Sequence, residues 1–150
     1  MKIKKPYFWD LQKPNILSYF LLPFTAPIIL NNLLLKFKKK EVFEDIKTIC
    51  VGNIYIGGTG KTPLTIKLSQ IIEKLNYKTC VIKKYYKTQS DEQKLIKNNT
   101  KLYCFKKRII ALKEAIKDGI SVALFDDGLQ DGSINYDIKF VCFNNAKGIG

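Results

Sequence analysis

A glycine-rich segment covers residues 51–63 and reads Val-Gly-Asn-Ile-Tyr-Ile-Gly-Gly-Thr-Gly-Lys-Thr-Pro. An apolar run, residues 46–51, leads into it, and apolar residues at helical spacing follow from Leu64 onward. Glycines allow consecutive backbone N–H groups to turn toward a polyphosphate, and a helix N-terminus adds a favourable dipole. A strand, a glycine-rich turn and a helix in this order therefore predict a phosphate-binding P-loop.

The residues of this loop have separate expected roles. Lys61 would place its ammonium between the outer phosphates, and the Thr62 hydroxyl would reach Mg²⁺. The usual pattern has its first glycine where this chain has Tyr55, so the competing interpretation is a glycine-rich turn that binds nothing. The predicted nucleotide-binding residues are Tyr55, Ile56, Gly57, Gly58, Thr59, Gly60, Lys61 and Thr62.

Strand and helix patterns alternate after residue 41. Strands are predicted at residues 46–51, 77–82, 102–105, 120–125 and 136–143. Helices are predicted directly after the loop, at residues 91–98 with Ser90 as N-cap, and from Ile109 to a stop near Gly119. The first helix is expected to bury the apolar face formed by Leu64, Leu68, Ile71, Ile72 and Leu75. This order predicts an α/β, P-loop NTPase-like fold with a mostly parallel, doubly wound sheet that binds ligands at the carboxyl ends of its strands.

Two carboxylates, Asp126 and Asp127, directly follow the apolar strand at residues 120–125. A buried strand that ends in Asp is what P-loop enzymes use to hold Mg²⁺ beside the loop's Thr. The alternative is a simple turn, since Asp-Asp-Gly is favourable turn chemistry. We predict a metal site formed by Thr62, Asp126 and Asp127, in which one carboxylate meets Mg²⁺ and the other orients Lys61 or the nucleophile; which does which stays open.

Asp91 is a third carboxylate at the same expected edge of the sheet, because it follows the second strand. Phosphoryl transfer to an alcohol benefits from a carboxylate that accepts the hydroxyl proton. An acidic residue there would equally stabilise a helix N-terminus, and the residues alone do not decide between the two. The candidate catalytic residues are therefore Asp91, Lys61 and Asp127.

Residues 1–40 differ in composition from the rest of the chain. No charged residue occurs at positions 14–35, which are mostly apolar and approach the length of a membrane span. Pro23 and Pro27 argue against a straight, lipid-embedded helix, whereas lysines at positions 36 and 38–40 suit anionic headgroups. We predict a kinked membrane-surface helix or helical hairpin in residues 1–40, followed by a kinase-like core in residues 41–150. A helix folded back on the core and a transmembrane anchor are the alternatives.

The charge and the cysteines restrict the class of protein. The chain has 150 residues and a formal charge of +13, almost all of it from lysine, and it has no histidine. This charge fits either an anionic lipid or polyanionic substrate, or a lysine bias of the genome. No nucleic-acid partner is expected, because the lysines are spread evenly and no recognition motif occurs. The four cysteines form no C-x-x-C pair, which predicts buried, reduced thiols rather than a zinc site.

Three strings together resemble one known family. Residues 51–63, the string Ser90-Asp91-Glu92, and the string Asp126-Asp127-Gly128-Leu129-Gln130 are similar to those of tetraacyldisaccharide 4'-kinases, the lipid A 4'-kinases of Gram-negative bacteria. The resemblance extends to an apolar N-terminal helix and covers nearly the whole chain. The family's loop also lacks the first glycine, as this chain does at Tyr55.

The resemblance implies an ATP- and Mg²⁺-dependent kinase at the cytoplasmic face of the bacterial inner membrane. Its glycolipid substrate would be a tetraacylated glucosamine disaccharide 1-phosphate, phosphorylated on the 4'-hydroxyl. By position, Asp91 matches the acidic residue proposed as the family's catalytic base, and Asp126 and Asp127 match its Walker B-like pair. The oligomeric state is not implied.

The chain also departs from the family pattern. Asp131 stands where family members commonly have histidine, and Lys83-Lys84-Tyr85-Tyr86 stands where Ser-Arg-Gly-Tyr-Gly is usual. Family members are longer, with a second lobe that contributes a histidine thought to support the base. A fragment or an inactive truncated remnant is therefore one alternative to a kinase. A membrane-associated P-loop switch is another, although Asn144-Asn145-Ala146-Lys147 lacks the Asp of a guanine-specific motif.

Overall fold

The computed structural model describes residue 13 and residues 15–37, 41–53 and 60–143. The chain divides into two compact units, Met1–Lys39 and Lys40–Gly150. The roles predicted for residues 1–40 and 41–150 remain predictions, and the lysines at positions 38–40 lie outside the described residues.

The first unit is helical with one interruption. Helix α1 covers Ile16–Leu21, a 3₁₀ turn covers Leu22–Thr25, and helix α2 covers Ala26–Phe37. Asn15 caps α1, because its side-chain oxygen accepts a hydrogen bond from the Ser18 N–H at 2.9 Å. The interruption coincides with Pro23, which has no N–H to continue an α-helical ladder.

Large apolar side chains on this unit are exposed along both helices and the turn between them: Ile16, Tyr19, Phe20, Leu21, Leu22, Phe24, Ile28, Ile29, Leu30, Leu33 and Leu34. Within the described residues, no helix combines the length and the apolar character needed to cross a membrane. The predicted position at a membrane surface remains a prediction.

The second unit is a five-stranded, all-parallel sheet with the strand order β3-β2-β4-β1-β5. The strands are β1 (Lys47–Asn53), β2 (Thr79–Lys84), β3 (Leu102–Phe105), β4 (Val122–Asp126) and β5 (Ile138–Cys142). The helices are α3 (Lys61–Lys74), α4 (Ser90–Asn99) and α5 (Arg108–Lys117). The predicted α/β fold and parallel sheet are confirmed, with the strand ends shifted slightly from their predicted positions.

Helices cover both faces of the sheet, so alternate strand residues enter two separate cores. One core packs α3 and α4 on the sheet and contains Ile49, Ile66, Val81, Ile96, Val122 and Leu124. The other packs α5 on the opposite face and includes Cys50, Ile82, Leu112, Ala115, Phe125 and Tyr136. Strand β4 is buried along its whole length, as the continuous apolar run predicts.

One local prediction is only partly confirmed and another is wrong. Helix α3 turns Thr62, Thr65, Ile66 and Ser69 inward; of the predicted apolar face, Leu68 and Ile72 pack against the core, while Leu64, Ile71 and Leu75 are exposed. The inward hydroxyls are satisfied, for example by a Ser69–Thr79 hydrogen bond of 2.7 Å, so their burial carries little penalty. Ser90 is the first residue of α4 rather than its cap, since Gln89 holds the N-cap position.

Candidate active site

Strand pairing places the two motif strings side by side. Strand β1 pairs directly with β4, with Val51 opposite Asp126, so both strands end at the same edge of the sheet. The N–H of Asp127 donates a hydrogen bond of 2.9 Å to the Val51 carbonyl and continues this pairing past the end of β4. Of the predicted phosphate-binding loop, Tyr55, Ile56, Gly57, Gly58 and Thr59 lie outside the described residues.

Lys61 lies at this edge, on the first residue of α3. Its Nζ donates hydrogen bonds to Asn53 Oδ1 at 2.8 Å and to Asp127 Oδ1 at 2.9 Å. Gly60 precedes it with a φ of 75°, a left-handed conformation that favours glycine. The ammonium is thereby held at a helix N-terminus, where an anionic ligand is favoured.

Asp127 itself has a left-handed backbone, with a φ of 61°. Non-glycine residues adopt this conformation at a cost and persist in it where their surroundings fix them. Here Arg108 fixes it: its Nη2 donates a hydrogen bond of 2.6 Å to the Asp127 carbonyl, while Nη1 lies 3.4 Å from Asp131 Oδ2. Arg108 is the chain's single arginine, and it is buried.

Asp131 supports this arrangement as an anion. Its Oδ1 accepts hydrogen bonds from the N–H and the hydroxyl of Ser133. Burial raises the pKa of Asp131, but the Ser133 hydrogen bonds and the nearby Arg108 charge outweigh it, so the pKa lies below its ordinary value. Asp131, which stands where a histidine is common in the family that the sequence resembles, thus accepts hydrogen bonds from Ser133 and pairs with Arg108 beside the site.

Asp126 is fully buried beside Thr62. Its Oδ2 accepts a hydrogen bond from the Thr62 hydroxyl at 3.0 Å. Its other oxygen, Oδ1, is buried and has no hydrogen-bond partner among the described residues. A buried carboxylate oxygen without a donor is costly, and a cation ligand would remove that cost.

The predicted metal ligands include the types of oxygen that Mg²⁺ prefers. Magnesium in phosphate-transferring enzymes is held by one or two carboxylates together with substrate phosphates and water. The buried Oδ1 of Asp126, the Thr62 hydroxyl and the Asp127 carboxylate supply this kind of oxygen set. In the part of the chain that the structure describes, no cluster of three or more His, Cys, Asp or Glu residues could hold a metal by itself.

Lys83 is a site residue that the sequence analysis did not assign. Its Nζ donates hydrogen bonds to Asp126 Oδ2 at 2.5 Å and to Glu92 Oε2 at 2.7 Å, and its side chain is only 4% exposed. Burial alone would lower the pKa of Lys83, but the combined effect of Asp126 and Glu92 raises it above its ordinary value. Lys83 is therefore a buried cation paired with the strand carboxylate.

Asp91 lies in the exposed first turn of α4. Among the described residues it forms no hydrogen bond or ion pair with Lys61, Asp126 or Asp127; its neighbour Glu92 is joined to Asp126 through Lys83. The structure thus brings Lys61, Thr62, Asp126 and Asp127 together, whereas Asp91 accepts a hydrogen bond of 3.4 Å from the neighbouring Ser90 hydroxyl.

The two motif strings also pack on each other. A Cβ on Gly52 would lie 2.5 Å from Leu129 Cδ1, so the second string's leucine occupies the space left by the first string's glycine. Gly128 is equally confined: a Cβ there would lie 2.8 Å from Tyr136 Oη and 3.0 Å from Cys50 Sγ. Tyr136 is buried and donates a hydrogen bond of 3.2 Å to the Gly128 carbonyl.

We expect Gly128→Ala to destabilise the second unit by about 1–3 kcal/mol, because the added methyl must displace a buried, hydrogen-bonded tyrosine. Chemical denaturation measures the change. Gly132→Ala is the matched control, since a Cβ there meets nothing within 4 Å, and it should change the stability by no more than about 0.5 kcal/mol. Equal stability of the two variants would contradict the packing described.

Two of the four cysteines are buried, Cys50 and Cys80. Burial raises the pKa of Cys50 to about 11 and that of Cys80 to about 12, which favours their protonated forms. All four cysteines are unpaired, as reduced thiols would be, but Cys104 and Cys142 are only partly buried, so the prediction of buried thiols holds for two of them.

A polar cavity of about 290 Å³ opens beside Asp127. Its lining combines the cations Lys84 and Arg108 with the carboxylates of Asp127 and Asp131 and with Tyr86 and Gln130. The cavity therefore offers hydrogen-bonding groups of both charges, which suit a polar, hydroxyl-rich ligand.

Comparisons with known proteins agree with this geometry. The family model described as tetraacyldisaccharide-1-P 4'-kinase matches residues 16–102. The chain is 57% identical over 152 residues to the tetraacyldisaccharide 4'-kinase of Pelagibacter ubique, which covers 100% of this chain and 48% of that protein. It is 27% identical over 165 residues to the enzyme of Rhodopseudomonas palustris strain BisB5, covering 99% of this chain and 48% of that protein. The chain thus spans about half the length of the curated relatives it matches.

A solved structure shares the fold. It is LpxK from Aquifex aeolicus in complex with ATP, which matches with a TM-score of 0.67 and 22% sequence identity. The match covers 84% of this chain and 49% of that one. At this identity the likeness supports the fold alone.

Proposed function

The chain belongs to the tetraacyldisaccharide-1-P 4'-kinase family, and on that premise we propose that it transfers the γ-phosphate of ATP to the 4'-hydroxyl of a tetraacylated glucosamine disaccharide 1-phosphate in lipid A biosynthesis. The observation that carries the proposal is the meeting of the α3 N-terminus with the end of β4. Lys61 contacts Asp127 there, and Thr62 contacts Asp126. A P-loop enzyme needs its phosphate-binding Lys and Thr beside its strand carboxylates, and this pairing supplies both.

Lys61 would neutralise the outer phosphates of ATP. Its ammonium donates a hydrogen bond to the neutral amide oxygen of Asn53 and a charge-assisted one to the carboxylate of Asp127. A phosphate that binds between the α3 N-terminus and Lys61 would carry more negative charge than either of these partners and would attract the ammonium more strongly. Asp127 and Asn53 would then serve mainly to orient the ammonium, so that its charge is preorganised to stabilise the transferring phosphoryl group.

Mg²⁺ would be held by the Thr62 hydroxyl, Asp126 and Asp127, where it would supply charge neutralisation for the transferring phosphoryl group. The buried, partnerless Oδ1 of Asp126 supports this assignment. Arg108 contributes by fixing the backbone of Asp127, and hence the direction of its carboxylate.

Asp91 would act as the general base and accept the proton of the attacking 4'-hydroxyl. Its support is its position: α4 begins just after β2, and β2 lies beside β4 in the sheet, so the first turn of α4 stands near the same ligand edge. Its exposure leaves it accessible to an acceptor. Lys84 lines the adjacent cavity and would offer a cation to an acceptor that carries phosphate, whereas Arg108 already contacts Asp127 and Asp131.

The first unit would hold the protein at the cytoplasmic face of the bacterial inner membrane. Exposed apolar side chains along α1 and α2 suit the headgroup–acyl boundary, and the net charge of +13 favours an anionic surface. A substrate whose acyl chains remain in the bilayer requires the nucleotide site to approach the headgroup plane. In this proposal, helices α1 and α2 attach the protein to the membrane surface.

Acceptor-dependent transfer from labelled ATP to a lipid A precursor tests the proposal. We expect Asp91→Asn to lower the transfer rate by about a hundredfold or more, because the hydroxyl proton loses its acceptor, while nucleotide affinity stays unchanged. Glu44→Gln is the control variant and should transfer like the wild type, because Glu44 is exposed and precedes β1, at the end of the strand opposite to the site. Phosphate release that does not depend on the acceptor would indicate a nucleotide switch instead, and no transfer by the wild type would indicate a remnant.

A further inference from the structure

Lys83 places a second cation inside the proposed metal site. Its Nζ lies 2.5 Å from Asp126 Oδ2, and the Asp126 side chain is 0% exposed, so the two charges neutralise each other away from water. The Thr62 hydroxyl uses the same oxygen. The carboxylate's other oxygen, Oδ1, is left without a partner among the described residues. One carboxylate oxygen of Asp126 is thus bound by the Lys83 ammonium and the Thr62 hydroxyl, and the other has no donor among the described residues.

Lys83 also has a second acceptor. Glu92 Oε2 lies 2.7 Å from the same ammonium, and its side chain is 51% exposed. The ammonium can therefore give up Asp126 and still keep one ion pair, at a position closer to solvent. A lysine with a single buried partner has no such alternative, because breaking that pair would leave a buried charge unpaired.

A divalent cation on Asp126 would meet this ammonium as a like charge only a few ångströms away, where repulsion is strong in a buried site. We propose that Lys83 is the resident cation of the metal site: it neutralises Asp126 until a divalent cation binds, and then withdraws toward Glu92. Lys83 thereby weakens divalent-cation binding and supplies the buried Asp126 carboxylate with a counter-ion in the metal-free protein. The inference rests on the metal role of Asp126 in the proposed function, and it is independent of the acceptor.

Titration of the full chain with Mn²⁺ alone, read by the electron paramagnetic resonance signal of free Mn²⁺, tests this. Lys83→Met should bind Mn²⁺ at least about tenfold more tightly than the wild type, because the competing charge is gone. Lys83→Arg keeps that charge and should stay within about threefold of the wild type. Glu92→Gln should bind Mn²⁺ more weakly, because Lys83 then has Asp126 as its remaining carboxylate partner.

Two comparisons separate competition by Lys83 from simple loss of negative charge near the site. Asp91→Asn removes the same charge one residue away but has no contact with Lys83, so it should weaken Mn²⁺ binding less than Glu92→Gln does. The double variant Lys83→Met/Glu92→Gln should bind as tightly as Lys83→Met alone. Because Lys83→Met leaves Asp126 buried without its counter-ion, circular dichroism is recorded for it; should it not fold, the order of Asp91→Asn and Glu92→Gln decides.

Unchanged or weaker Mn²⁺ binding by a folded Lys83→Met chain would overturn the inference, as would equal effects of Asp91→Asn and Glu92→Gln. These outcomes are distinct from failure of the kinase proposal. Phosphate transfer without any effect of Lys83 on Mn²⁺ binding would support the kinase proposal and refute the role given to Lys83. The expected order of Mn²⁺ affinities without phosphate transfer would support the role of Lys83 and refute the kinase proposal.

Discussion

Lys61→Ala should lower phosphate transfer by on the order of a thousandfold. The ammonium is held by Asn53 at 2.8 Å and by Asp127 at 2.9 Å, and in the proposed mechanism it would stabilise the charge that develops on the phosphoryl group. Alanine removes the charge and leaves Asp127 facing the phosphates without compensation. Single-turnover transfer from labelled ATP and equilibrium nucleotide binding measure the two losses, and both should be large.

Lys67→Ala is the matched control for this variant. Lys67 lies on the same helix, α3, and is exposed, so its removal takes away the same net charge without touching the site. It should transfer phosphate and bind nucleotide like the wild type. A Lys61→Ala chain that retains transfer within about threefold of the Lys67→Ala chain would refute the role given to Lys61.

Asp126→Asn should also lower transfer by on the order of a thousandfold, since the amide keeps the shape of the side chain and loses the charge that would hold Mg²⁺. Thr62 and Lys83 both use Asp126 Oδ2, and the amide would place a neutral group against the buried ammonium. We therefore expect the Mg²⁺ concentration for half-maximal transfer to rise as well. Transfer rates measured across a Mg²⁺ series show both changes.

The folding cost of this variant is controlled separately. Asp126→Asn leaves Lys83 with the half-exposed Glu92 as its remaining carboxylate, so some stability is lost, whereas Asp126→Asn/Lys83→Met removes both buried charges and should recover part of it. Asp118→Asn removes an aspartate from an exposed ion pair with Lys101 and should leave transfer unchanged. Full transfer by Asp126→Asn, with an unaltered Mg²⁺ dependence, would show that this carboxylate does not serve the metal.

The sheet was predictable because its signals are local and redundant. A continuous apolar run such as residues 120–125 has few alternatives to a doubly buried strand, and a glycine-rich turn between a strand and a helix restricts the topology further. The register that sets Val51 opposite Asp126 then follows from the parallel pairing of β1 and β4. The nearness of Thr62 to Asp126 is a direct consequence of this pairing.

The inward face of α3 was not predictable from apolar spacing. Of the predicted apolar stripe, Leu68 and Ile72 pack against the core, but Leu64, Ile71 and Leu75 are exposed, whereas Thr62, Thr65 and Ser69 are buried against the sheet together with Ile66. Small hydroxyl side chains let a helix approach a sheet closely, and their hydrogen bonds are visible only in three dimensions. A helix that begins with a functional Lys-Thr pair has its rotation set by the site, and periodicity does not report that constraint.

The burial of Lys83 and the contacts of Arg108 could not be predicted from the sequence for a different reason. Lys83 is one of 26 basic residues, and in so basic a chain a lysine within Lys-Lys-Tyr-Tyr looks like a solvated surface residue. Only the register of β2 with β4, which pairs Lys83 with Asp126, reveals that it is buried. Arg108 did carry a sequence signal, because a single arginine in a lysine-rich chain indicates a position where the planar, multiply donating guanidinium is needed. That signal identifies the residue and not its partner.

In the proposed function, one site at the shared edge of β1 and β4 would hold both the nucleotide phosphates and the cation. A crystal structure of the chain with Mn²⁺ and a non-hydrolysable ATP analogue, with the anomalous signal of manganese recorded, tests this most directly. We predict an anomalous peak between the Thr62 hydroxyl and the carboxylate of Asp126 or Asp127, with the outer phosphates against Lys61 Nζ. A manganese peak or a triphosphate at the opposite edge of the sheet would contradict the account.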